Sequence, residues 1–259
     1  YPFIVKSMKR GHPLAHAIEV FRGEQGDGGY GVSPRVLRDA QGAVEAVLFS
    51  RPLDTFRGET YALGTDGKPY KLALPERVGI SGMLKGHLIL SPDQDWTLGG
   101  QTYGAGSLLS VPLAALDQAG EGAALNRAGV EIFTPTPRQS LQGVSVMADH
   151  LIASVTDNVV GTLTRYSPAQ SGWSAAPIAV PANSDVSLGD SSKSSGQFFV
   201  STQGFLTPPA LSLGDAASNQ LTVLKSAAAK FDASTHVVEQ YEATSRDGTK
   251  VPYFITRPR

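Results

Sequence analysis

SPDQDWTLGGQTYGAGSLL, residues Ser91–Leu109, decides how the rest of this chain is read. At its centre, Leu98-Gly99-Gly100-Gln101 has the two-glycine form of a tight hairpin turn, with strand-forming residues on either side. Outward from it, apolar residues fall in short runs between turn-forming clusters, and the chain's 28 glycines and 17 prolines supply those clusters. Strands are expected at Val44–Phe49, Thr60–Leu63, Tyr70–Leu74, Val78–Leu84, His87–Leu90, Ser107–Val111 and Val130–Thr134. They continue at Gly143–Met147, Leu151–Thr156, Thr162–Tyr166, Phe198–Thr202, Ala210–Leu213 and Leu221–Leu224. These runs gather in fours that begin near Ser33, Val78, Ser140 and Val186, at intervals of 45, 62 and 46 residues. If Ser91–Leu109 holds an inserted hairpin, the long middle interval is explained and the chain is a repeat. Four strands every ~40 to 50 residues is the pattern of β-propeller blades, each of which needs its neighbours to bury both faces. A β-sandwich with irregular repeats is the competing all-β reading.

Helical periodicity is weak. Ala114–Leu125 is interrupted by Gly120 and Gly122, each costing about 1 kcal/mol against alanine in a helix, and it reads with Leu224–Lys230 as loop or a short helical turn. Phe3–Met8 and Ala17–Phe21 read as the last two strands of a blade whose first two lie upstream. At the other end, Val237–Arg259 reads as two strands about an Asp247-Gly248 turn with nothing left to pair against. Both termini are therefore expected to be cut, leaving about four and a half blades.

A length of 259 residues suits one all-β domain. Net charge is -1, from 22 basic and 23 acidic residues, so there is no field to draw the chain to nucleic acid or an acidic membrane. Neither is expected as a partner. Cysteine is absent, which excludes disulfides, thiolate metal sites and a cysteine nucleophile but leaves cytoplasmic and periplasmic locations both open. No apolar run approaches the ~18 residues of a membrane-spanning helix.

The residues offer no catalytic constellation. Ser107 in GAGSL and Ser145 in GVSVM lack the closing glycine of a G-x-S-x-G elbow and lie in strand-like surroundings. Ser191–Ser194 (SSKS) reads as a solvated loop rather than a serine-lysine dyad. His12 and His16 are four apart, yet Gly11 and Pro13 oppose a helix and no glutamate completes a metalloprotease motif; His87, His150 and His236 are scattered. Asp93 and Asp95 suit the shoulder of a hairpin better than calcium. Trp96 and Trp173 are expected to pack between sheets, and Gly23–Gly31 to connect blades. Catalytic, cofactor-binding and metal-binding residues are each expected to be none.

Several separated strings, in order, resemble the prolyl oligopeptidase family of serine peptidases. They are MKRGHPLAHA (Met8–Ala17), DWTLGGQTYGAGSLL (Asp95–Leu109), FTPTPRQSL (Phe133–Leu141), DHLIASVTDNV (Asp149–Val159), GFLTPPALSL (Gly204–Leu213), FDAS (Phe231–Ser234) and EQYEATSRDGTKVPYFI (Glu239–Ile255). The resemblance implies a seven-bladed propeller that caps an α/β-hydrolase domain. On that pattern residues 1–236 are propeller, and residues 237–259 are the crossing segment and first hairpin of a hydrolase domain lying beyond this sequence. The family's serine, aspartate and histidine would also lie beyond it. The implied parent cleaves short peptides after proline without a cofactor, and its propeller limits access. A free-standing binding propeller and a parent that has lost its triad are the alternatives. Open blade edges also predict edge-to-edge association between copies of the chain.

Overall fold

The computed structural model describes residues 2–27, 30–117 and 129–259. The chain divides into two compact units, Tyr1–Thr134 and Pro135–Arg259. The first unit begins with an antiparallel ribbon of β1 (Ile4–Ser7) and β2 (Ile18–Arg22). An antiparallel sheet follows in chain order: β3 (Ser33–Arg38), β4 (Val44–Pro52), β5 (Gly58–Leu63) and β6 (Pro69–Lys71). Next come β7 (Val78–Leu84) and β8 (His87–Pro92), then the small hairpin β9 (Trp96–Leu98) and β10 (Gln101–Tyr103). β11 (Leu108–Pro112) and β12 (Val130–Phe133) then complete a second sheet in the order β7-β8-β11-β12.

The inserted hairpin is therefore real. Leu98 pairs with Gln101 across Gly99 and Gly100, whose φ values of 60° and 82° are the left-handed pair that a two-residue hairpin turn requires. Trp96 and Tyr103 fold back from it into the core between the two sheets, their rings 6.1 Å apart.

The second unit has two further antiparallel sheets in chain order. One is β13 (Gln139–Val146), β14 (Leu151–Asp157), β15 (Val160–Pro168) and β16 (Trp173–Ile178). The other is β17 (Ser184–Ser192), β18 (Gln197–Gly204), β19 (Ala210–Asp215) and β20 (Gln220–Ser226). A separate long ribbon of β21 (His236–Thr244) and β22 (Lys250–Pro258) ends the chain.

Stacking explains the sequence of the strands. In β4, Ala46 and Leu48 point into the core shared with β7–β12, while Val47 and Phe49 face the core shared with the β1–β2 ribbon. Both faces of the strand are covered, so it reads as a continuous apolar run rather than an alternation. Ile152, Leu163 and Ile178 likewise meet Val186, Phe198 and Val200 between the two sheets of the second unit. There β15 runs so close to β17 that a Cβ on Gly161 would lie 2.6 Å from the Val186 nitrogen. Only glycine fits at that crossing.

Three readings change. β3, β16 and β17 were not among the expected strands, although the group starts near Ser33 and Val186 pointed to β3 and β17; β16 holds Pro177 and three alanine or serine positions, a composition tolerated because it is an edge strand. Ser191 and Ser192 belong to β17, where they pair with Phe198 and Gln197, so the solvated turn is shorter than Ser191–Ser194. Of the weak helical stretches, Leu113–Leu116 forms a short 3-10 turn, residues 118–125 lie outside the described residues, and Leu224–Ser226 is strand. No described helix is long and apolar enough to cross a membrane.

Candidate functional site

Ser107 is fully buried where β11 begins, its hydroxyl without a partner, and Ser145 is buried within β13. His12 precedes and His16 ends a single 3-10 turn at Leu14–His16, with their rings 6.2 Å apart. Asp95 accepts the Ala105 N–H at 3.0 Å and braces the inserted hairpin. One contact escaped the sequence reading: the His150 Nδ1 lies 2.9 Å from the Ser167 Oγ, clipping the turn before β14 to the end of β15. No spacing motif announces it, because the two residues are brought together by strand pairing. Among the described residues, no group of three histidine, aspartate or glutamate side chains is placed to hold a metal ion.

The glycine-rich connection between β2 and β3 is fastened by charge. From β4, the Arg51 Nε and Nη2 donate to the two oxygens of Asp27 at 2.7 and 2.8 Å, and the Asp27 side chain is only 5% exposed. Asp27 also accepts the Glu24 N–H. The network extends through Arg51 Nη1 to Glu59, which accepts from the Tyr61 hydroxyl and from Lys71. The Arg51 fork holds the Asp27 carboxyl below the usual carboxylate range. Burial pushes the Glu59 carboxyl up, but the hydrogen bonds from Lys71 and Tyr61 outweigh it and leave Glu59 lowered. Burial and the Glu59 contact raise the Tyr61 phenol. These groups satisfy one another and act as a clamp.

A different arrangement occupies one end of the second unit. Because its strands alternate in direction, the β14–β15 turn and the β16–β17 and β18–β19 connections gather at the same end. The β21–β22 ribbon lies against that end through side chains, without joining either sheet. The Asn183 Nδ2 donates to the Val238 carbonyl at 3.3 Å, Gln240 donates to the Asn158 carbonyl, and Arg138 pairs with Glu242. Phe205 and Phe254 meet with ring centroids 5.2 Å apart.

This docking leaves hollows. One of about 460 Å³ is walled by Val159, Asn183, Asp185, Phe205, Pro209 and Phe254, and a smaller one of about 250 Å³ lies beside His236 and Arg259. A third, of about 630 Å³, owes nothing to the ribbon and opens over Asp185, Ser201, Gln203 and Lys225 of the β17–β20 sheet. Val159 is held abnormally at the edge of the 460 Å³ hollow. In the two-residue β14–β15 turn, Asn158 has φ 46° and Val159 φ 75°, and the second of these positions is ordinarily glycine. A β-branched residue there is strained, on the order of 1–3 kcal/mol. Gln240 and the Arg138 carbonyl hold the turn through the Asn158 carbonyl and N–H. The site can thus present an apolar wall with amide and carboxylate edges.

The four-stranded antiparallel sheets, each running in chain order or nearly so and packed in a pair within each unit, are the all-β architecture of propeller-type sheets. No protein-family profile matches the chain. A protein of Sinorhizobium fredii named "Uncharacterized peptidase" is 36% identical over 262 residues, covering 98% of this chain and 35% of that protein. Another of that description, from Rickettsia prowazekii, is 26% identical over 226 residues, covering 85% of this chain and 30% of its own length. The chain thus spans about a third of the curated relatives it matches. Among solved structures, a post-proline cleaving enzyme from Rickettsia typhi superposes with a TM-score of 0.81 at 23% identity, over 100% of this chain and 37% of that one. Oligopeptidase B from Leishmania major gives 0.64 at 14% identity, over 99% of this chain and 35% of its own. The structures carry the fold, that of the propeller domain of prolyl oligopeptidases. With the curated peptidases, they support the prolyl oligopeptidase family for this chain, as its ordered motifs indicated.

Proposed function

We propose that this chain is the greater part, about four and a half blades, of the propeller of a prolyl oligopeptidase-type serine endopeptidase. The observation that carries the reading is the superposition of the whole chain on a post-proline cleaving enzyme. In this reading the serine, histidine and aspartate stand in the part of the parent outside residues 1–259, and residues 237–259 are the crossing into that catalytic domain. The parent cleaves short peptides after proline through an acyl-enzyme. The propeller covers the active site and admits unfolded, short chains, so selection operates through access as well as chemistry. The separate β21–β22 ribbon, bound to the blade ends by side chains alone, suits a crossing that belongs to neither sheet.

Fluorophosphonate labelling of the intact parent, followed by mass spectrometry, tests this. One labelled serine in a G-x-S-x-G context outside residues 1–259 is expected. A folded parent that takes no label would overturn the active-peptidase reading in favour of a lost triad. Cross-linking adjacent blades is expected to slow turnover of long peptides more than short ones; equal rates would remove the gating role.

A further inference from the structure

We propose that the hollow between Val159, Phe205, Pro209 and Phe254 is a peptide subsite, which takes an apolar side chain whose neighbour in the peptide is basic. The proposal rests on the peptidase reading for its choice of a peptide as occupant, and it adds a place and a chemistry to it. Four observations converge. The hollow, at about 460 Å³, has the size of an ordinary small-ligand site. Val159, Phe205, Pro209 and Phe254 form the apolar part of its wall, and Val159 and Phe205 are 55% and 59% exposed in the chain as it stands.

The polar edge is built for a main chain with positive charge. Gln203 makes no side-chain hydrogen bond among the described residues, and Asp185, the one ionised group among the lining residues, holds only a 3.4 Å contact with Ser187. An amide and a carboxylate at the rim match a peptide N–H and a lysine, arginine or terminal ammonium; a peptide carboxylate there would be repelled.

The fourth observation is Val159 itself. Glycine or asparagine would occupy the left-handed position at little cost, whereas valine is strained there and gains no burial in return. Strain of this kind, sustained by the Gln240 and Arg138 contacts to Asn158, marks a residue used for what its side chain touches. Here that is the hollow.

The test uses the full-length parent and a fluorescein-labelled, proline-free ten-residue peptide with one lysine beside a leucine, so that post-proline cleavage does not consume the probe. A second peptide replaces the lysine with glutamate. Anisotropy titration is expected to show tighter binding of the lysine peptide. Val159→Asn is expected to weaken it about fivefold, the scale of a partly buried valine, while raising the melting midpoint by about 1–3 °C through relief of strain. Asp185→Asn is expected to erase the preference for lysine over glutamate. Unchanged affinity in Val159→Asn overturns the subsite. A lower melting midpoint overturns it also, because the valine would then be covered by the parent's own chain. Binding that depends on Val159 in a parent that takes no fluorophosphonate leaves the subsite standing and removes only the peptidase reading.

Discussion

β8 and the β21–β22 ribbon are both regular antiparallel elements, but they are held in different ways. β8 has strand partners on both edges, β7 and β11, and its Leu88, Ile89 and Leu90 are wholly buried. β22 pairs along one edge only, and Val251, Tyr253 and Ile255 stay 40% exposed or more on its outer face. Strand pairing is therefore common to both, and burial separates them. The same contrast holds for charge. Arg51–Asp27 and Arg257–Glu239 are both two-pronged arginine–carboxylate forks, at 2.7–2.8 Å, yet the side chains of the first are 18% and 5% exposed and those of the second 51% and 33%. Water screens the second pair and has little access to the first.

Three substitutions sharpen this comparison. Leu90→Ala removes a buried side chain between two sheets and is expected to cost about 3–4 kcal/mol, seen as a lower urea midpoint with an unchanged slope. A loss below about 1 kcal/mol would mean that the core around β8 relaxes into the space.

Asp27→Asn is expected to cost on the order of 2–3 kcal/mol, because Arg51 keeps its charge in a partly buried setting and loses its strongest partner. The pH dependence has a definite sign. The Asp27 carboxyl is lowered by Arg51, so its stabilisation is fully present above the ordinary carboxylate range, near pH 4, and is lost as pH falls through its lowered folded value. Unfolding midpoints of the wild type and Asp27→Asn should converge in acid. Parallel curves down to pH 2 would show that the clamp works by packing alone.

Arg257→Ala should have the smallest effect, with no measurable change of midpoint at 0.15 M salt. A clear loss there would show that the ribbon's open face is more enclosed in solution than its exposure indicates.

Much of the fold was legible because glycine and apolar periodicity are local signals. The group starts near Ser33, Val78, Ser140 and Val186 fall within two residues of β3, β7, β13 and β17. The Gly99-Gly100 pair marked the inserted hairpin, and Asp247-Gly248 marked the last turn. β16 was hidden because an edge strand needs only its neighbour's hydrogen bonds, so alanine, serine and proline suffice. Of the site, little was legible. Asp27 and Arg51 lie in separate parts of the sequence, and nothing in GEQGDGGYG tells which carboxylate turns inward. Val159 looks like an ordinary strand residue, and only its φ of 75° sets it apart.

The sequence by itself determined the strand repeat, the turns that divide it and the absence of a local catalytic motif, since each depends on residues that are neighbours in the chain. The tertiary structure decided which charges are buried, which valine is strained, and that the last ribbon rests on the blade ends through Asn183, Gln240 and Phe254. Those outcomes depend on which faces meet, and the residues that meet are 24 positions apart for Asp27 and Arg51 and 49 to 82 apart for the ribbon contacts.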